Sequence, residues 1–328
     1  MTGQATICAL GAGRMGQGIA HAFAYAGHPV QLVDLKPRDA SESRALQNQA
    51  MGEIRANLAT LAELRVFSGK LIEPIMKRIQ FVSADQIADH LGRADFVFEG
   101  VPEVMAAKRE AFATAAQHLR DDAVIASTTS TFVSTDLAKY VPNPGRFLNA
   151  HWLNPAFLIP LVELSPHAGT EERVVERVQQ LLQSIGKVPV VCAAVPGYIV
   201  PRFQALIMTE AARMIEQNVA TAEDIDRATR FGFGIRYASM GVVEFIDYGG
   251  NDILYYASEY LAEALGDERY RAPDIVAQYM REGRNGLRDG RGFYDWKNRD
   301  MDQYRRDALQ RLIDLIRLQD LLPKPVDN

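Results

Sequence analysis

Residues 5–34 leave this chain few architectures to choose from. A short apolar run, Ala5-Thr6-Ile7-Cys8-Ala9-Leu10, leads directly into Gly11-Ala12-Gly13-Arg14-Met15-Gly16. Residues 14–26 then place Met15, Ile19, Ala22 and Phe23 at helical spacing. Gly27-His28-Pro29 stops that helix, and Val30-Gln31-Leu32-Val33 reads as a second strand ending in the acid Asp34. A lone G-x-G-x-x-G means little, because glycines gather in many turns. Between a buried strand and a helix, with an acid at the tip of the next strand, it is the fingerprint of a dinucleotide site. Gly11 permits the tight turn, Gly13 the close approach of a pyrophosphate and Gly16 the packing of helix on strand. Arg14 and Met15 open the helix whose N-terminal N–H groups would meet the phosphates. Asp34 is expected to accept hydrogen bonds from the adenosine ribose and to repel a 2′-phosphate, which favours NAD over NADP. Lys36 and Arg38 just downstream work against that repulsion.

Further along, residues 39–66 read as one long helix and 71–78 as a shorter one, a hairpin expected to stand off the sheet. Phe96-Val97-Phe98, Ala123–Ala126, the stretch 147–150 before His151, Leu161–Leu164 and residues 188–192 read as strands, with helices at 105–118 and 171–184. This alternation predicts an α/β fold, a Rossmann-type doubly wound sheet. Strand patterns largely cease after Val195-Pro196-Gly197, and helical periods follow at 198–217, 221–231 and 250–265. Thr221 is a plausible N-cap, and residues 303–322 carry Leu309, Leu312, Ile313 and Ile316 as one more amphipathic helix. The expected organisation is a cofactor domain over residues 1–195 and an all-helical substrate and dimerisation domain over 196–328.

Bulk properties exclude several classes. With 328 residues, 48% of them hydrophobic, the chain can build two cores. A net charge of −5 gives no electrostatic footprint for nucleic acid. No apolar stretch is long enough to span a bilayer, and Met1-Thr2-Gly3-Gln4 runs into a strand pattern without a basic, apolar leader. The expected location is the cytoplasm, where Cys8 and Cys192 would be reduced, buried small hydrophobes. No spaced Cys/His set points to a metal.

From residue 5 to about residue 296 the chain resembles the 3-hydroxyacyl-CoA dehydrogenases, of the short-chain 3-hydroxybutyryl-CoA type. Five motifs in order carry the resemblance: the opening glycine turn through Ala20; Glu99-Gly100-Val101-Pro102-Glu103 with Lys108; His151-Trp152-Leu153-Asn154-Pro155 with Glu163; Met240-Gly241 with Asp247-Tyr248-Gly249; and Gly290-Arg291-Gly292-Phe293-Tyr294. The resemblance implies NAD as cofactor, with Glu103 and Lys108 among its contacts, and a homodimer built from the second domain. It also implies that Ser130 hydrogen-bonds the reacting oxygen and that Asn154 supports the active-site turn.

Taking the hydroxyl proton of a secondary alcohol during hydride transfer requires a base, and histidine titrates near neutrality. Of the six histidines, His21, His28, His90 and His118 lie on or beside predicted surface helices and turns, and His167 lies in a turn. Only His151 ends a predicted strand, where open α/β sheets bind ligands. A structural histidine would fit that pattern too, and the family motif favours the base. Glu163, twelve residues on, would fix its tautomer and stabilise the imidazolium.

The chain departs from the family at several positions. Thr128-Thr129-Ser130-Thr131 replaces the usual serine loop, and Pro201-Arg202 replaces an Asn-Arg pair whose asparagine polarises the substrate carbonyl. The hairpin offers Arg55, Arg65 and Lys70 rather than dense lysines. Gly234-Ile235-Arg236-Tyr237 resembles the related branch of L-gulonate 3-dehydrogenase (lambda-crystallin) and carnitine 3-dehydrogenase, where Arg236 would pair with a free carboxylate. The small-molecule substrate is therefore expected to be an acyl-CoA or a free 3-hydroxy acid, with a purely structural role as the non-enzymatic alternative.

Overall fold

The computed structural model describes residues 4–323 and 325; residues 1–3 of the stretch read above as leader-free lie outside the described residues. Eight described strands form one sheet: β1 (Ile7–Leu10), β2 (Val30–Val33), β3 (Ile79–Val82), β4 (Phe96–Glu99), β5 (Val124–Ser127), β6 (Phe147–Trp152), β7 (Leu161–Pro166) and β8 (Val188–Val191). Their order is β3-β2-β1-β4-β5-β6-β7-β8, and every neighbouring pair is parallel except β6–β7. Strands β1, β2, β4 and β5 are buried at each position. Helices cover both faces of such a sheet, so its strands read as continuous apolar runs rather than alternating ones. The strand order reverses between β1 and β4, where doubly wound sheets open a ligand crevice at the strands' C-terminal ends.

The helices of this first unit are α1 (Arg14–Tyr25), α2 (Ala40–Glu63), α3 (Ile72–Met76), α4 (Ile87–Leu91), α5 (Met105–His118), α6 (Ser134–Leu137) and α7 (Glu172–Ser184). Asp39 starts α2 with a full capping box, accepting from the N–H groups of Ser41 and Glu42 while Glu42 reaches back. The α2–α3 hairpin does not stand off the sheet. Ala50, Ile54 and Leu58 of α2 and Ile75 and Met76 of α3 are buried in the same cluster as Phe23 of α1 and Leu32 of β2. An apolar stripe of that length is too large to leave in water, so the hairpin docks.

Helix α8 (Val200–Glu216) is followed by α9 (Ala222–Ala228), a π-helical turn over Thr229–Gly234, α10 (Ile235–Ser239), α11 (Val242–Gly249), α12 (Asn251–Leu265), α13 (Asp274–Arg281) and α14 (Met301–Leu318). Thr221 caps α9 by accepting from the Asp224 N–H. The residues gather into two compact units that divide between Ile207 and Met208, inside α8. In the second unit the buried Asp247 carboxylate accepts from the N–H groups of Phe293 and Tyr294 and from Trp296 Nε1, which fastens the Gly-Phe-Tyr segment to α11. Cys8 is buried in β1, whereas Cys192 is only half-buried.

His21 differs from its surface expectation. It is 2% exposed and its ring stacks on Phe157, with centroids 4.4 Å apart and planes 6° apart. Burial, reinforced by the charge of Lys187, pulls the imidazole down to about 4. The folded protein thus keeps His21 neutral at pH values where the unfolded chain protonates it. Its contribution is complete above pH 6.5 and is lost as pH falls toward 4. We expect lowering the pH from 7 to 5 to cost about 2 kcal/mol through this residue. Denaturant unfolding of the wild type and of His21→Phe at both pH values checks this; equal pH sensitivity would refute it.

Candidate active site

The first turn after β1 is built for close approach. Gly11 holds φ +113, and a Cβ on Gly16 would lie 1.8 Å from the Gly11 carbonyl oxygen, so α1 packs on the strand at a distance only glycine allows. Gly13 begins α1 with no side-chain cap, leaving first-turn N–H groups free, and a Cβ placed there would meet nothing within 4 Å. Beside this turn lies a cavity of about 460 Å³, lined by Gly11, Gly13, Arg14, Asp34, Arg38 and Pro102 among others. An open helix N-terminus, a backbone free of side chains and a carboxylate at the far wall suit a pyrophosphate and a ribose. Asp34 is shared, however: Arg38 Nε donates to its Oδ2 at 2.6 Å and the Lys36 N–H to its Oδ1 at 3.3 Å. Met15 and Gly16 pack behind the cavity rather than lining it.

At the same sheet edge, β6 presents alternating faces. Leu148, Ala150 and Trp152 enter the main core, which turns Asn149 and His151 to the opposite face. On β7, Val162 and Leu164 enter that core and turn Glu163 the other way. Antiparallel register sets His151 directly across from Glu163. The His151 Nδ1–Glu163 Oε2 distance is 2.9 Å, the ring is 6% exposed and the carboxylate is fully buried. Glu163 Oε1 accepts from the N–H groups of Ile199 and Val200 at 2.9 and 2.8 Å. A carboxylate on Nδ1 fixes the proton there and leaves Nε2 as the acceptor nitrogen, for which no protein partner occurs among the described residues.

Ser130 and Asn154 are exposed, the first in the loop after β5 and the second in the β6–β7 loop. Glu103 contacts that serine loop and pairs with Lys108, and neither lines the cavity. Lys108 is wholly buried, with Nζ at 3.0 and 3.1 Å from the Glu99 oxygens and 3.3 Å from Glu103 Oε2. Glu99 also accepts from Ser127 Oγ and the Val101 N–H. Glu103 accepts from Thr129 Oγ1 and, at 3.0 Å, from the Thr131 N–H. Burial works against the Glu103 charge, but the Thr129 hydroxyl, the Lys108 ammonium and the Thr131 N–H outweigh it and hold the carboxyl below its usual range. Lys108 thus sits in a buried ion-pair network tying β4, α5 and the Ser130 loop. Tyr198, which sequence reasoning passed over, stacks on His151 with centroids 4.9 Å apart. Its one signal is an aromatic residue directly after the Pro196-Gly197 turn.

The model of the 3-hydroxyacyl-CoA dehydrogenase NAD-binding domain matches residues 6–195, and that of the family's C-terminal domain matches residues 197–296. A 3-hydroxybutyryl-CoA dehydrogenase of Bradyrhizobium diazoefficiens is 32% identical over 288 residues, covering 88% of this chain and 94% of its own length. A 5-formyl-3-hydroxy-2-methylpyridine 4-carboxylate 5-dehydrogenase of Mesorhizobium japonicum is 29% identical, covering 88% and 89% respectively. The crystal structure of a 3-hydroxyacyl-CoA dehydrogenase from Archaeoglobus fulgidus superposes with a TM-score of 0.77 at 30% identity, covering 97% of this chain and all of that one.

The Lys108 network yields a prediction that separates scaffolding from cofactor contact. Removing one partner of a buried ion pair strands the other charge, at a cost of about 3–5 kcal/mol. We expect Lys108→Met to lose that much stability in urea unfolding, and Glu99→Gln in the same chain to recover part of it. A Lys108→Met protein of wild-type stability with weakened NADH binding would instead favour the cofactor-contact role.

Proposed function

Because the chain belongs to the 3-hydroxyacyl-CoA dehydrogenase family, and so is an NAD-dependent oxidoreductase acting on CH–OH groups, we propose that it oxidises a short-chain 3-hydroxyacyl-CoA, of the 3-hydroxybutyryl kind, to the 3-oxoacyl-CoA. The observation that carries this reading is the buried His151–Glu163 pair, on the same sheet edge as the glycine turn. Register supports a continuous crevice: Leu10 of β1 pairs with Glu99, Glu99 with Ser127, and Ser127 with Asn149, two residues before His151.

NAD, when bound, supplies the hydride acceptor; the chain supplies everything else. Asp34 takes the adenosine ribose, and Gly11, Gly13, Arg14, Met15 and Gly16 form the turn and helix start that receive the pyrophosphate. The C-terminal ends of β4 and β5, which lie between the glycine turn and His151, would hold the other half of the dinucleotide. His151 Nε2 accepts the substrate hydroxyl proton, Glu163 holds the ring in the Nδ1–H tautomer and stabilises the imidazolium, and Ser130 holds the reacting oxygen. Asn154 supports the turn beyond His151. The domain division follows the same logic, with residues 1–195 serving the cofactor and 196–328 the substrate and a second copy of the chain. On α12, Ile253, Tyr256 and Tyr260 lie at i, i+3 and i+7 and are 60–70% exposed. A stripe of that kind supports burial against a symmetry mate.

A second reading has its own observation. Arg236 has no carboxylate partner among the described residues and lies 5.9 Å over the Phe245 ring, whereas Arg55 of the hairpin is already engaged by Glu73. A guanidinium without an ion pair favours a free 3-hydroxy acid as the substrate.

The deciding assay follows NADH oxidation with acetoacetyl-CoA against NAD reduction with L-carnitine, L-gulonate and free 3-hydroxybutyrate. Turnover of the CoA ester is expected; turnover of free acids alone would establish the second reading. In either case His151→Ala should lower turnover by roughly 10²–10⁴-fold while NADH still binds. Normal turnover in that variant would end the role given to His151. In solution, light scattering should return twice the chain mass, and Tyr256→Lys with Tyr260→Lys should halve it; a monomeric wild type would remove the dimer.

A further inference from the structure

Tyr198 has a backbone that side chains seldom adopt. It follows Gly197, at φ +84, and itself holds φ +43. A non-glycine residue stays in that region only where its surroundings impose it, and such residues gather at functional sites. Here the reward is visible. The twist carries the ring to within 7° of parallel with the His151 imidazole and buries it to 5% exposure. The hydroxyl donates to the Thr129 carbonyl at 2.8 Å and accepts from Asn149 Nδ2 at 2.9 Å. The other hydrogen of that amide goes to the Phe132 carbonyl at 2.9 Å. Both ends of the segment 129–132, which carries Ser130, are therefore fastened to Asn149, one directly and one through Tyr198.

Asn149 and His151 share a face of β6, so the serine loop and the imidazole hang from the same strand two residues apart. The next two N–H groups after Tyr198 bind Glu163. One short turn, 197–200, thus touches the imidazole, its carboxylate and the serine loop. We propose that Tyr198 is a positioning residue whose hydroxyl sets Ser130 relative to His151. This rests on the reading of His151 and Ser130 given above. The hydroxyl touches no reacting atom, and its effect reaches the substrate oxygen only through the loop.

Tyr198→Phe keeps the stacked ring and removes the tether, leaving the Thr129 carbonyl and one Asn149 hydrogen without their partner. One hydrogen bond of this kind corresponds to roughly 3–10-fold in rate. We expect kcat/KM for acetoacetyl-CoA, or for whichever free acid is turned over, to fall by that factor. The dissociation constant for NADH, read by fluorescence, should stay within about twofold of wild type, and the pH at half-maximal kcat/KM should not move. The decisive measurement is a double-mutant cycle with Ser130→Ala. If Tyr198 works through Ser130, the double variant loses no more than Ser130→Ala alone. Independent, multiplying losses, or wild-type kcat/KM in Tyr198→Phe, would overturn the proposal. Were His151→Ala fully active, the reading beneath it would fall first; an inactive His151→Ala beside additive losses would remove the proposal alone.

Discussion

Glu163 is the group on which the geometry of the crevice depends. A carboxylate with no solvent exposure is costly unless its lone pairs are filled. Glu163 fills them from segments far apart in the chain: the imidazole across the β6–β7 ladder and two successive N–H groups at the entry to α8. The requirement that the charge be satisfied therefore fixes three things at once. It sets which nitrogen of His151 carries the proton, how β7 sits against β6, and how the backbone turns after Gly197. Tyr198 inherits its strained conformation from the last of these.

A second buried carboxylate, Glu99, plays a comparable part at the end of β4, two strands from β6, with a buried lysine as counter-charge. The two sites differ in what they can do. The Glu99–Lys108 pair holds a lysine Nζ against both oxygens of a carboxylate with no solvent exposure, which suits a scaffold. The Glu163–His151 pair joins a carboxylate to an imidazole whose Nε2 has no protein partner among the described residues, which suits chemistry. Glu103 links them, since it meets Lys108 on one side and the Thr129–Thr131 loop on the other.

Much of this was legible in the sequence where local signals and tertiary demands coincide. Met105–His118 and the strand–turn–helix at residues 7–25 combine helical period, glycine punctuation and continuous apolar runs, and the doubly wound class follows from their alternation. β3 was missed because Ile79-Gln80-Phe81-Val82 is a four-residue strand broken by a polar residue, and only its β2 neighbour makes it one. The hairpin's docking was missed because a helix pattern shows an apolar stripe without showing what covers it. Nothing local in the sequence reveals that two acids surround Lys108. His151 and Glu163 are apparent as residues from their motif. Their direct cross-strand pairing depends on β7 running antiparallel, which spacing alone does not settle.

That reversal has an evolutionary consequence. Side chains on a strand alternate faces, so a shift of β7 by one residue would drive Glu163 into the cluster of Val162 and Leu164 and leave the imidazole facing a hydrocarbon. Residues 153–160, between the two strands, carry no such parity. Descendants of this chain can change the length of that connection and reshape the crevice mouth so long as Asn154 and the core contacts of Ala156 and Phe157 are kept. The ladder on either side must keep its count, so innovation in substrate range is channelled into the loop while the proton-handling pair stays put.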